Sequence, residues 1–156
     1  IQKKQPAISI GIGINTGLVM LGTLGVPDRI EGSVISDTVN VSARLEELTK
    51  IYKVPLLISS ETEKDLAPKI ARREIDYAEV KGKEEKVLVY EVFDWQPEEL
   101  RNKKIELLPL FSQGLKLYKE KDFASSLKVL KKYSKKLNRD PIVDLYIERC
   151  NNKLKK

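Results

Sequence analysis

The stretch EGSVISDTVNVSARLEELTKIY, residues 31–52, decides the fold because it passes from an extended run into an amphipathic helix. The run SVIS predicts a short strand. Asp37 is a good helix N-cap, so we expect the helix to begin at Thr38. Four apolar residues then recur at helical spacing and predict a buried stripe: Val41, Leu45, Leu48 and Tyr52.

Two polar residues of this helix, Asn40 and Arg44, are four positions apart beside the apolar stripe, and therefore project from one side. Arginine offers planar, permanently charged donors that suit phosphate oxygens. Asparagine both donates and accepts, so it can orient a sugar or ring oxygen. A merely solvated or capping role is the common alternative for such a pair, and spacing alone does not exclude it.

Upstream, ISIGIGIN alternates isoleucine with other residues and predicts a half-buried strand. Gly11 and Gly13 lie on the opposite face of that strand, where glycine permits close approach by a backbone or a ligand. The glycines of GIGINTG are spaced G-x-G-x-x-x-G within a strand, which excludes the dinucleotide-binding fingerprint. Strand packing and phosphate contact both remain open for these glycines.

The other segments complete an α+β pattern in residues 1–96. LVMLGTLG and VPLLIS predict strands, VPDRIEG a loop, and SSETEKDLAP a short helix capped by Ser59 or Ser60 and ending near Pro68. REIDYAEV and KVLVYEVFDW predict the arms of a hairpin around KGKEE. Together they predict a largely antiparallel or mixed sheet. After Pro97, apolar spacing predicts three helices, the third opened by Pro141.

Composition excludes several kinds of site. The 156 residues are 41% apolar, enough for a core, and include one cysteine and no histidine. A disulfide within the chain, a Cys/His metal site and a histidine-dependent triad are therefore excluded. Residues 1–97 carry a formal charge of −2 and residues 98–156 carry +8. The basic tail suits either a solvated helix surface or an anionic partner.

Several separated blocks resemble, in order and spacing, class III nucleotidyl cyclases: GIGINTG, VISDTVNVSARLEELTK, LLIS, and VKGK followed by VYEV. The resemblance covers about residues 7–94. It implies an α+β fold of the cyclase type, with a ferredoxin-like antiparallel or mixed sheet and packed helices, truncated at its N-terminus. The tail resembles a tetratricopeptide-like helical hairpin followed by a third helix. We therefore divide the chain into a cyclase part, residues 1–96, and an appendage, residues 97–156.

The family makes cyclic AMP or cyclic GMP from the nucleoside triphosphate, and the resemblance implies roles for individual residues. Asn40 and Arg44 match the catalytic pair, in which Asn orients the ribose and Arg stabilises charge on the α-phosphate. Ser33, Asp37 and Lys81 match the substrate-binding positions. Ser33 stands where the purine edge is read and Lys81 where the triphosphate is contacted. Serine decides little between purines, and we favour ATP over GTP.

Two features depart from the family pattern. Ser36 stands where the family commonly has glycine. The family's two metal-binding aspartates lie upstream of the GIGIN strand, and here no acidic residue precedes Asp28. The resemblance implies two ions, Mg²⁺ or Mn²⁺, whose protein ligands are absent from this chain. We therefore expect the chain to be inactive alone, and to supply the Asn/Arg half of a site shared with a homodimer partner or a missing N-terminal cyclase half.

The chain begins with Ile1 and lacks a signal peptide or a membrane-spanning apolar run, so we expect a piece of a cytoplasmic protein, or the cytosolic part of a larger, membrane-linked one. The alternative function is a degenerate cyclase-like module that acts through protein contacts. Nucleic-acid binding by the tail is disfavoured because no known motif occurs there.

Overall fold

The helices and strands follow the order expected for an α+β chain. A computed structural model describes residues 9–26, 29–79 and 86–155, with the backbone alone for residues 23–26 and 29–35. The strands are β1 (Ile12–Ile14), β2 (Met20–Val26), β3 (Arg29–Ile35), β4 (Leu56–Ser59), β5 (Arg72–Ala78) and β6 (Val87–Val92). The helices are α1 (Asp37–Tyr52), α2 (Ser60–Lys64), α3 (Glu98–Lys119), α4 (Phe123–Lys136) and α5 (Pro141–Leu154).

Four strands form a mixed sheet in the order β1-β4-β6-β5. β1 runs parallel to β4, with Ile12 opposite Leu56, whereas β6 is antiparallel to both β4 and β5. β2 and β3 form a separate antiparallel hairpin. The predicted α+β class, with a mixed sheet and packed helices followed by a helical hairpin and a third helix, is confirmed.

One apolar core joins the sheet to helices from both parts of the chain. The predicted stripe of α1 is buried, with exposed fractions between 1% and 7%. Its side chains share a cluster with sheet residues such as Leu57 and Ile75 and with tail residues such as Leu107 and Tyr146. The three tail helices pack in sequence, α3 against α4 and α4 against α5. The tail therefore completes the core that begins at α1.

β1 is covered on the face that carries its glycines. Ile10, Ile12 and Ile14 are exposed by 66%, 47% and 43%. The glycine face meets α1 instead, because a residue without a side chain lets the helix come close to the strand. The alternating pattern correctly predicted a strand, and the close approach of a backbone on its glycine face is made by α1.

Two boundaries also differ. α1 begins at Asp37, one residue early, and Ser36 is the N-cap, with an extended φ of −170° and no side-chain capping bond. Asp37 then lies in the first turn, where its carboxylate interacts favourably with the positive end of the helix dipole. The predicted loop VPDRIEG is largely strand, since β2 extends to Val26 and β3 starts at Arg29.

Aspartates begin both later tail helices. The Asp122 carboxylate accepts from the Ser125 N–H at the start of α4, and the Asp140 carboxylate accepts from Ile142 and Val143 at the start of α5. Pro141 occupies the first turn of α5, as predicted. Across residues 9–26, 29–79 and 86–155, none of the helices combines the length and apolar character needed to cross a bilayer.

A buried cluster of charges lies between the sheet and the tail. The Arg73 guanidinium donates to Glu91 at 2.6 Å and to Asp140 at 2.7 Å. The Lys104 ammonium donates to the second Glu91 oxygen at 2.9 Å. The Tyr133 hydroxyl donates to Asp140 at 2.8 Å. All four charged side chains are at most 4% exposed. Because they are removed from water, the charge of each cation must be compensated by its carboxylate partners.

We expect Asp140→Asn to lower the free energy of unfolding by about 3 kcal/mol, because removing one partner leaves a buried charge uncompensated. Asparagine keeps an acceptor for the two capping N–H groups, so the change isolates the charge. Urea denaturation followed by circular dichroism measures the loss. The matched control is Asp122→Asn at the exposed N-cap of α4, which also keeps a capping acceptor and is expected to lower the free energy of unfolding far less. Equal losses would show that Asp140 acts only as a cap.

The same carboxylate has a defined pH signature. Burial alone would raise the pKa of Asp140, but the Arg73 guanidinium outweighs it and holds the pKa at about 2, below the ordinary 3.8. Because the folded pKa lies below the unfolded one, this contribution, about 2 kcal/mol, is complete above about pH 4 and is lost as the pH falls towards 2. Asp140→Asn should lack that part of the acid dependence.

Candidate functional site

The candidate site is built on α1, where Asn40 and Arg44 reach solvent. Asn40 is exposed and Arg44 is partly exposed, four residues apart on the side of the helix next to the buried Val41 and Leu45. The shared face expected from the spacing is therefore reachable from outside.

Arg44 already has a carboxylate neighbour. Its Nη1 lies 2.9 Å from Oε2 of Glu47, with side-chain exposures of 43% and 59%. Ion pairs this exposed contribute roughly 0–1 kcal/mol. An anionic ligand could therefore displace Glu47 from the guanidinium at small cost.

Two glycines bring α1 against β1. A β-carbon built at Gly13 would lie 2.3 Å from the Ser42 carbonyl oxygen and 2.4 Å from the Glu46 nitrogen, both backbone atoms of α1. One built at Gly11 would lie 2.1 Å from the Thr49 hydroxyl. Of the two roles left open by the sequence, strand packing is the one observed. The glycines set the distance between the sheet and the helix that carries Asn40 and Arg44.

A polar link holds the N-terminal end of α1. The Asn15 amide nitrogen donates to the Thr38 carbonyl at 3.1 Å, and the Thr38 hydroxyl donates to the Leu18 carbonyl at 2.8 Å. The Ser59 hydroxyl donates to the Asn15 side-chain oxygen at 2.6 Å. The sequence pattern did not single out Asn15. The available signal was that Asn15 directly follows β1 and Ser59 ends β4, and parallel neighbours end at the same edge.

A cleft of about 780 Å³ opens beside this link. Its described lining comes from the segment after β1, the start of α1, the start of α2 and the start of β6. The charged members of that lining are Asp37, Glu61 and Lys86. The Lys86 ammonium also pairs with Glu79 at 3.0 Å. Of the predicted site residues, Asp37 lines the cleft, whereas Asn40 and Arg44 lie outside its lining.

The remaining predicted residues are only partly described. Ser33 belongs to β3, where its backbone pairs with Gly22 of β2. Lys81 lies outside the described residues, as does the predicted turn around it. The structure therefore brings Asp37, Asn40 and Arg44 together on the first two turns of α1.

The described residues do not fit a two-metal site. No group of three or more His, Cys, Asp or Glu side chains that could hold an ion occurs within them. Near the cleft, Asp37 and Glu61 are the acidic groups in its described lining, and neither belongs to such a group. No chemical step is therefore assigned to a metal held by these residues.

Comparison with known proteins gives consistent results. A family profile described as "Adenylate and Guanylate cyclase catalytic domain" matches residues 1–93. The "Adenylate cyclase, terminal-differentiation specific" of Dictyostelium discoideum is 33% identical over 152 residues, which are 96% of this chain and 7% of that protein. An "Adenylate cyclase" of Anabaena cylindrica is 44% identical over 90 residues, which are 56% of this chain and 18% of that protein.

Among solved structures, a bacterial light-regulated adenylyl cyclase is similar with 30% identity and a TM-score of 0.49. The match covers 56% of this chain and 25% of that one. The chain thus spans less than a fifth of the length of the two curated relatives described above.

We expect Gly13→Ala to destabilise the protein by about 1–3 kcal/mol, because the added methyl group meets the backbone of α1 and must push the helix away. Urea denaturation measures the loss, and hydrogen exchange of the α1 amides locates it. Gly22→Ala is the matched control in β2, where a β-carbon meets nothing within 4 Å, and should stay within about 0.5 kcal/mol. A Gly13→Ala protein as stable as wild type would mean that α1 does not need this close contact.

Proposed function

Because the chain belongs to the adenylate and guanylate cyclase catalytic domain family, we propose that it supplies the Asn40–Arg44 half of a purine nucleotide cyclase site. The reaction is conversion of ATP to cyclic AMP and pyrophosphate, favoured over GTP to cyclic GMP. The observation that carries the proposal is the solvent-facing Asn40 and Arg44, four residues apart on a helix whose first turn borders a cleft.

The proposed mechanism uses pre-placed donors. Asn40 orients the ribose so that its 3′-oxygen points at the α-phosphate. As that oxygen attacks and pyrophosphate leaves, negative charge grows on the α-phosphate, and the Arg44 guanidinium stabilises it. Asp37, Ser33 and Lys81 are proposed substrate-binding residues, with Lys81 on the triphosphate and Ser33 at the purine edge. No covalent intermediate on the protein is needed.

The preference for ATP rests on relatives rather than on a side chain. Both matched relatives from Dictyostelium discoideum and Anabaena cylindrica are named adenylate cyclases. Ser33 can donate or accept and so accommodates either purine edge. We therefore propose ATP as the substrate class for this chain.

The proposed site is completed by polypeptide outside this chain. The described residues lack a metal-binding cluster, so we propose that two Mg²⁺ or Mn²⁺ ions are held by a homodimer partner or an N-terminal cyclase half. Exposed apolar residues near the start of the described chain suit such an interface: Ile10, Ile12, Ile14, Leu18, Met20 and Leu21. The same surface would serve the alternative function, a degenerate module that acts through protein contacts. The division at residues 96 and 97 and the tetratricopeptide-like character of the tail also stay proposals.

We expect the isolated chain, mixed with ATP and either Mn²⁺ or Mg²⁺, to form no cyclic AMP above a protein-free blank. The reason is that it carries donors for the phosphate but no described carboxylate cluster for the ions. Chromatographic detection of cyclic AMP makes the measurement. Robust turnover would contradict the claim that the other half of the site is required.

The second experiment uses the completed enzyme, meaning this chain preceded by the metal-binding half of a cyclase catalytic domain. We expect Asn40→Ala and Arg44→Ala each to lower kcat about 10²-fold, as loss of a transition-state donor does. Lys50→Ala, which removes an exposed cation from the same helix, is the control and should leave kcat unchanged. Wild-type rates in both site variants would remove the pair from the mechanism and favour the binding module.

A further inference from the structure

The C-terminal end of α1 contacts the tail through one carboxylate. Asp76 of β5 accepts a hydrogen bond from the Tyr52 hydroxyl, at the last residue of α1. Its Oδ2 also accepts from Nη1 of Arg149 on α5, at 2.9 Å. The guanidinium lies over the Tyr52 ring, 5.6 Å from its centroid. A sheet residue therefore bridges the helix of Asn40 and Arg44 to the last helix of the chain.

A bulge in β5 presents this carboxylate to α5. Pairing with β6 shifts register between Glu74 and Asp76, which leaves Ile75 outside the regular ladder. The Tyr146 hydroxyl of α5 donates to the Ile75 carbonyl at 2.7 Å. Arg149 follows Tyr146 by three residues, one turn along α5, and donates to the next residue of the strand. Two hydrogen bonds thus fix α5 on the bulge.

The ion pair between Arg149 and Asp76 is partly buried, so solvent screens it less than an exposed pair. The side chains of Arg149 and Asp76 are 30% and 26% exposed. Burial alone would raise the pKa of Asp76, but hydrogen bonds from Tyr52 and Arg149 outweigh it and lower the pKa. The carboxylate is therefore charged at neutral pH, and a charge-assisted bond is stronger than a neutral one.

Close packing over Gly11 and Gly13 gives α1 no strand side chains to interlock with at those two positions. The position of α1 along its axis therefore depends on its buried stripe and on the contacts at its two ends. The link from Asn15 to Thr38 holds the N-terminal end. Arg44 and Tyr52 are eight residues apart, about 12 Å along the axis, so a shift at Tyr52 is felt at Arg44.

We propose that Arg149 is a positioning residue for the cyclase reaction: through Asp76 it fixes the C-terminal end of α1, and with it the face that carries Asn40 and Arg44. For its catalytic consequence, this rests on the proposed function. The similarity to the Dictyostelium discoideum relative supports it, because 152 aligned residues include most of the tail, whereas the family profile ends at residue 93. In that relative, the tail sequence accompanies the cyclase part.

Hydrogen exchange of the chain itself tests the bridge without any need for activity. Arg149→Met and Asp76→Asn should each speed exchange of the amides in the last two turns of α1 about fivefold. The double variant should be no faster than Asp76→Asn alone, because the contact of Arg149 with the bridge already depends on the Asp76 carboxylate. Lys153→Met removes an exposed cation one turn further along α5 and should match wild type. Unchanged α1 exchange in Arg149→Met overturns the proposal.

Turnover of the completed enzyme tests the catalytic consequence. Arg149→Met should lower kcat about tenfold with KM within about twofold, because Arg44 acts on charge that develops in the transition state. Arg149→Lys, which keeps a cation near Asp76, should recover most of kcat. Circular dichroism at the assay temperature must show that every variant is fully folded. A loss of folded protein then cannot account for a lower kcat with an unchanged KM.

The outcomes separate this inference from the function on which it rests. Faster α1 exchange with an unchanged kcat would overturn the positioning role while leaving the cyclase assignment intact. A wild-type completed enzyme without turnover would refute the proposed function, and the catalytic role of Arg149 with it. In that case the exchange data would still decide whether α5 braces α1.

Discussion

The structure depends on the burial of one cation. The Arg73 guanidinium lies 4.3 Å from the centroid of the Phe111 ring and is bonded to Glu91 and Asp140. A charge removed from water is tolerated only with close counter-charges, and these come from β6 and from the start of α5. If the sheet and the tail separated, Arg73 would be exposed to water or would lose its counter-charge Asp140. The tail is held by this requirement as well as by apolar contacts.

Local periodicity predicted the long elements because their spacing is a property of the chain itself. The α1 stripe and the hairpin arms are examples, and both are as expected. What periodicity could not give was which face of β1 is covered. Alternation defines two faces, and the glycine face was covered because it alone lets a helix approach closely. Arg73 was not singled out, since its partner Asp140 is 67 residues away in sequence.

In the candidate site, too, local spacing predicted some features, while others depend on contacts between distant parts of the chain. Helical spacing was enough to predict that Asn40 and Arg44 share a face, and the resemblance was needed to suggest what that face does. Asn15 was missed because its partners, Thr38 and Ser59, lie on separate elements that only the parallel pairing of β1 and β4 brings together. α1 is thus held at its ends by residues that no local pattern marks.

The distance in sequence between Arg73 and Asp140 has a consequence for synthesis. When Arg73 leaves the ribosome, β6 follows within about twenty residues, but Asp140 emerges only after α3 and α4 are complete. A nascent chain stopped at residue 93, where the family profile ends, lacks that counter-charge and every tail side chain of the core. Folding of the sheet is therefore coupled to the emergence of α3, α4 and α5 from the exit tunnel, and an early stop codon in the tail would release a product that proteases can recognise.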